Sequence, residues 1–165
     1  MLKLAKPYED QINKAKIHVI ENEEKYKFFN CSTYWDNQIF EIPDSDWNSF
    51  VRISVGDDKV LGYFKANIVR DTYDVSSMVI VNFNLKKISF TFIRDLEAFV
   101  NYLLEYKKFR KIAFSVVVGN PAERLYDKFI EKYNGRIVGV RKNDVKLVDG
   151  KYYDLKLYEV FNPLV

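Results

Sequence analysis

Nucleophilic and metal-assisted chemistry need particular side chains at particular spacings, and this chain of 165 residues offers few of them. Its single histidine, His18, and single cysteine, Cys31, have no companions with which to build a metal site, and Cys31 cannot close an internal disulfide. His18 sits in a helical pattern and reads as a surface or packing residue, Cys31 as a small half-buried one. Two stretches do carry a chemical pattern, and both are helix starts. Asn120 precedes Pro121, Ala122 and Glu123, which supplies an N-cap oxygen, a proline at the first helical position and a carboxylate near the positive end of the dipole. Lys86 and Lys87 precede Ser89 and Thr91, hydroxyls suited to capping a second helix. Unpaired N–H groups and the dipole make such a helix start a seat for phosphate.

The elements that would hold these starts follow from periodicity. Ile112 to Val118 is a β-branched apolar run bounded by Gly119, a buried strand. Ala122, Leu125, Tyr126, Phe129 and Tyr133 recur at three and four, which predicts a helix from Pro121 to Tyr133 stopped by Asn134-Gly135, with a strand from Ile137 to Val140 behind it. Phe92, Leu96, Phe99, Val100, Leu103 and Leu104 predict a helix to Tyr106, whose negative end is complemented by Lys107, Lys108, Arg110 and Lys111.

Upstream, Leu2 and Leu4 mark a short edge strand before Pro7, and Tyr8 to about Phe28 an amphipathic helix or two. Residues 29–50 form an aromatic, turn-rich loop with a short helix. Phe50–Val55 and Val60–Val69 make a hairpin over Gly56-Asp57-Asp58, and Met78–Phe83 adds a third strand after a polar turn at Arg70 to Asp74. A last strand runs from Tyr153 to Phe161 after the turn at Asp149-Gly150.

The length suits one domain spanning residues 1–165, and no linker, repeat or low-complexity tract breaks it. No apolar stretch is long enough to span a membrane and the start lacks a signal-peptide pattern, so a cytoplasmic protein is expected. The net charge of +3 is uneven: residues 1–50 hold six Lys/Arg against nine Asp/Glu, and residues 51–165 hold twenty against fourteen. A cationic second half suits a polyphosphate ligand. Nucleic-acid binding would need a basic face that so small a net charge does not guarantee, and it is not expected.

Strand, capped turn, helix with Leu125-Tyr126 on its inner face, glycine, strand: this segment resembles the C-terminal half of the GCN5-related N-acetyltransferases. The order β, α, three strands, α, β, α, β, β is similar to that family's from end to end. The resemblance implies an α/β acyl-CoA N-acyltransferase fold with a central mixed, mostly antiparallel sheet flanked by helices. It also implies acetyl-CoA as cosubstrate, lying between two splayed strands at Met78–Phe83 and Lys111–Val118, so that Val81, Phe83 and Asn120 line the acyl-CoA arm. Tyr126 matches the family's acid, which protonates the departing thiolate after direct attack by a primary amine.

Three departures stand out. Asn120 lies six residues before Tyr126, one fewer than the pattern, so that Gly119 takes the asparagine's place, and the helix is about a turn longer. The loop that should carry glycines around the pyrophosphate falls on residues 86–93 and has none. Lys86, Lys87, Ser89 and Thr91 are then the expected phosphate contacts, and the other reading is a binding module of this fold that has lost acyl-CoA and catalysis. No residue matches the base; Asp71, Asp74 and Glu97 are positional candidates. Tyr34, Trp35 and Trp47 are expected to line the pocket for a small-molecule or peptide amine, and a homodimer is compatible with the fold. The two helices Phe92–Tyr106 and Pro121–Tyr133 are expected on opposite faces of the sheet.

Overall fold

The computed structural model of the chain describes residues 1–21, 28, 41–84, 88–147 and 149–164. Its strands are β1 (Leu2–Leu4), β2 (Ser49–Gly56), β3 (Lys59–Val69), β4 (Asp74–Asn82), β5 (Lys111–Val117), β6 (Arg136–Lys146) and β7 (Tyr152–Phe161). They form one sheet in the order β1-β2-β3-β4-β5-β7-β6. The described helices are α1 (Glu9–Ile20), α2 (Phe90–Asn101) and α3 (Glu123–Lys132).

Local chemistry accounts for the joints. Asp57 and Asp58 both take positive φ (49° and 56°), the mirror-image turn whose twist matches a two-residue hairpin between β2 and β3. Ser89 caps α2 by accepting the Phe92 N–H at 3.1 Å. The last turn of that helix widens into a π-turn over Tyr102–Tyr106, closed by the Lys107 N–H on the Tyr102 carbonyl at 2.9 Å. Asn134, left-handed at φ 50°, ends α3.

One face of the sheet presents Phe64, Ala66, Met78, Phe114, Tyr158 and Val160 to a core shared by α2 and α3. The opposite face presents Ile53, Val55, Tyr63 and Val81 to Ile12 of α1. The expectation that the two later helices flank opposite faces is therefore corrected. They lie side by side: the Tyr133 hydroxyl donates to Asn101 Oδ1 at 2.7 Å and Lys132 pairs with Glu97 at 2.8 Å. β4, β5 and β6 step across the sheet in the same direction and run parallel, so two right-handed crossovers must fall on one face.

Two strands exceed their sequence limits. β4 begins at Asp74, whose backbone already pairs with Lys111, and β6 runs on to Lys146 through a polar stretch. An edge strand paired only to β7 keeps its side chains mostly in water, so no apolar alternation marks it. Of the aromatic loop, residues 41–48 are irregular, and the short helix expected there otherwise lies outside the described residues.

Candidate active site

The only parallel pair among the described strands comes apart. β4 and β5 are in register at Asp74 with Lys111, Val75 with Ile112 and Met78 with Phe114, and no pairing follows. Each strand keeps its outer partner beyond that point: the Phe83 N–H bonds the Leu61 carbonyl and the Val118 N–H bonds the Asp154 carbonyl, both at 2.9 Å. Backbone groups alternate sides along a strand. Phe83 and Val81 thus turn their N–H and C=O groups to β3, while Ile80 and Asn82 turn theirs into the gap. By the same alternation Val118 and Val116 serve β7, and Ser115 and Val117 face the gap. The Val117 carbonyl is taken by the Asn120 N–H at 3.0 Å. The result is a wedge whose two strand edges, among the described residues, are left to an extended polar arm.

At one wall of the wedge stands the turn into α3. Gly119, at φ +87°, directs its N–H to the Glu123 carboxylate at 2.9 Å, and Asn120 Oδ1 accepts the Ala122 N–H at 2.9 Å. Asn120 is thus a cap of the turn, and the regular helix opens two residues later than Pro121. One turn on, the Tyr126 ring meets Phe114 edge-on at 5.5 Å, at the point where the strands part, and Tyr158 at 6.3 Å. Tyr126 is 7% exposed, and its hydroxyl makes no hydrogen bond among the described residues. Burial, with Tyr158 beside it, pushes its phenol above the ordinary tyrosine value.

Behind Tyr126 lies a network that sequence reasoning missed. Lys156 of β7 reaches Asp127 at 2.7 Å and Glu123 at 3.1 Å, and the Tyr158 hydroxyl donates to the same Asp127 oxygen at 2.9 Å. Lys156 holds the Asp127 carboxyl below its usual range, and that hydrogen bond pushes the lysine up in turn. Tyr158 stacks on Phe114 at 5.0 Å. Glu123 and Asp127, four apart on a helix, opposite Lys156 and Tyr158, two apart on a strand, were the available signal.

The other expected residues fall as follows. Ser89 caps α2, and Thr91 lies against the β2–β3 turn, its Cγ2 3.6 Å from where a Cβ on Gly56 would stand. Gly62 leaves space for α2 to begin close over β3: a Cβ there would meet Phe92 Cε2 at 2.1 Å and the Val81 carbonyl at 2.5 Å. Val81 and Phe83 pack toward α1. Lys86, Lys87, Tyr34, Trp35 and Cys31 lie outside the described residues.

Trp47 does not join a pocket at the wedge. It is 70% exposed beside Arg70, at the opposite end of the sheet, because β2 enters and β3 leaves there. The candidate bases are elsewhere too. Asp74 pairs with Arg110 at 2.6 Å at the closed end of the seam, Asp71 is in the turn before it, and Glu97 pairs with Lys132. Among the described residues no helix is long and apolar enough to cross a membrane, and no cluster of three His, Cys, Asp or Glu could hold a metal.

No protein-family model matches the chain, and no curated protein matches it. Solved structures do. A "probable acetyltransferase" superimposes with a TM-score of 0.72 at 17% identity, covering 99% of this chain and 93% of its own. Ribosomal-protein-S5-alanine acetyltransferase from Vibrio fischeri gives 0.71 at 12%, covering 98% and 92%. A variant of spermidine N-acetyltransferase from Vibrio cholerae gives 0.67 at 15%, covering 98% and 93%. With its wedge between β4 and β5 and near end-to-end superposition on these enzymes, the chain has the acyl-CoA N-acyltransferase fold of the GCN5-related N-acetyltransferases.

Proposed function

We propose that the protein is an acetyl-CoA-dependent N-acetyltransferase acting on a primary amine, with Tyr126 as its proton donor. The observation that carries this reading is the largely buried Tyr126 side chain at the apex of the wedge, whose hydroxyl has no hydrogen-bond partner among the described residues. A tyrosine that merely packed would have its hydroxyl tied to a neighbour. The strand edges at Ile80, Asn82 and Ser115 fit the amide-rich arm of acyl-CoA, and the capped start of α2, preceded by Lys86 and Lys87, fits its pyrophosphate.

In this reading the amine attacks the thioester carbonyl, a C–N bond forms and the C–S bond breaks. Tyr126 gives its proton to the departing sulfur, and the amine's proton leaves to solvent or to a base beyond the described residues. A small amine and a peptide N-terminus both fit an opening of this kind. Neighbours named for spermidine and for a ribosomal protein's alanine span those two classes.

A thermal melt with and without acetyl-CoA tests the reading. A ligand at a hundredfold excess over its Kd adds about 2.7 kcal/mol, so Tm should rise with acetyl-CoA concentration. The same series on a Lys86→Gln, Lys87→Gln variant should shift less. No rise at millimolar ligand would favour the non-catalytic module.

A further inference from the structure

At the end of the sheet away from the wedge, exposed aromatic rings and cations interleave. Trp47 is 70% exposed, Tyr106 73% and Tyr73 43%. Each of the first two has one face already backed. Arg70 lies 4.0 Å over Trp47, and Tyr102 stacks on Tyr106 at 5.4 Å and 16°. Both rings nonetheless keep most of their surface in solvent. Phe109 and Phe50 bridge the two, since Arg70 also reaches Phe109, Phe109 meets Phe50 at 6.0 Å, and Phe50 meets Tyr102 at 5.8 Å. Lys107 stands within 5.3 to 5.6 Å of Phe50, Tyr102 and Tyr106, and Arg52 lies 5.6 Å from Tyr102.

The cations here lack carboxylate partners among the described residues, although Arg70 donates to the Trp47 carbonyl and Arg52 to Ser45 Oγ and the Val51 carbonyl. Among the described residues Arg52, Arg70, Lys107 and Lys108 form no ion pair, whereas the nearby Asp74 is held by Arg110 and Asp46 by the backbone amides of Asn48 and Ser49. Asp46, Asp71 and Glu105 are the carboxylates to set against those four, since amide hydrogen bonds leave the Asp46 charge in place. The backbone is constrained at the same place. Tyr73 and Lys108 both take positive φ (56° and 59°), unusual for side chains of this size, and the Tyr73 hydroxyl bonds the Lys107 carbonyl at 3.0 Å. The π-turn that presents Tyr106 belongs to the same patch.

From this arrangement we infer that the patch binds single-stranded nucleic acid. Backed rings that keep most of their surface in solvent suit stacked bases, and the unpaired cations between them suit the phosphates. An acidic protein surface would use the cations and leave the rings idle. The small net charge of the whole chain does not weigh against this, because Arg52, Arg70 and Lys107 stand directly beside these rings.

The test is fluorescence anisotropy of the full chain with a labelled uridine-rich RNA of about 10 nucleotides, within the usual span of such sites. The account expects binding that weakens as salt rises, and a loss of about tenfold or more in both Trp47→Ala and Tyr106→Ala. Lys107→Gln with Lys108→Gln should flatten the salt dependence. Because these side chains are exposed, the variants should keep the parent's Tm, which separates lost binding from lost folding. Four results would overturn the inference. One is no anisotropy change up to about 100 μM at low salt. A second is equal binding to a blunt duplex with no effect of either ring. A third is competition by polyglutamate as strong, charge for charge, as by unlabelled RNA. The fourth is self-association that Trp47→Ala abolishes, which would make the patch a contact between copies.

Discussion

Met78 of β4 and Phe114 of β5 are the last partners across the parallel seam between those strands, and the Tyr126 ring stands edge-on to Phe114 at that point. Phe114 is also stacked on Tyr158 and 5% exposed, so it closes the apex and supports the tyrosine together. Phe114→Ala should cost about 3–5 kcal/mol in urea denaturation. A cost below about 1 kcal/mol would mean that the apex is not a packed corner.

The Lys156 network should matter through the placement of α3. Lys156→Met leaves Glu123 and Asp127 facing each other without a cation, and should destabilise the fold by about 1–3 kcal/mol. Combined with Asp127→Asn the loss should be less than the sum of the two single losses, and additive losses would show that the pair is not coupled.

Gly62 tests how closely α2 must begin over the sheet. Gly62→Ala drives a Cβ into Phe92 and the Val81 carbonyl. Overpacking of this kind costs about 1–3 kcal/mol, and displacing the helix start should weaken acetyl-CoA binding measured by calorimetry. An alanine variant with parental stability would contradict the close approach.

Acid sensitivity should trace in part to Glu159. Burial opposes its charge, but Lys111 at 2.6 Å and Arg136 at 2.8 Å outweigh burial and hold its pKa below the ordinary 4.5. A depressed pKa gives stability that is complete above the unfolded value and is lost as pH falls through the folded one. Glu159→Gln should therefore lower Tm at pH 7 and flatten its decline between about pH 5 and pH 3. Parallel acid limbs would remove Glu159 from that role.

Local chemistry was legible in the sequence where one short stretch decides it. The aspartate pair of the β2–β3 turn, the serine cap of α2 and the Asn134 stop of α3 all act where the residues predict. What the sequence hid depends on partners far along the chain. Trp47 sits in an aromatic loop that reads as pocket lining, yet the strand registers carry it to the other end of the sheet. The side-by-side helices follow from strand order, which periodicity does not reveal. Lys156 reads as one more surface lysine until β7 is laid against α3, and the polar half of β6 looks like a loop because an edge strand need not alternate.

The most direct test of the central claim is turnover of acetyl-CoA with reactive primary amines, polyamines and alanine-terminated peptides among them, by the parent protein and by Tyr126→Phe. The substitution keeps the ring against Phe114 and removes only the proton donor. If Tyr126 is the acid, the rate should fall by about 10² to 10⁴ while acetyl-CoA affinity and stability hardly change. An undiminished rate would take Tyr126 out of the mechanism, and absence of turnover with any amine by the parent protein would contradict the acetyltransferase reading itself.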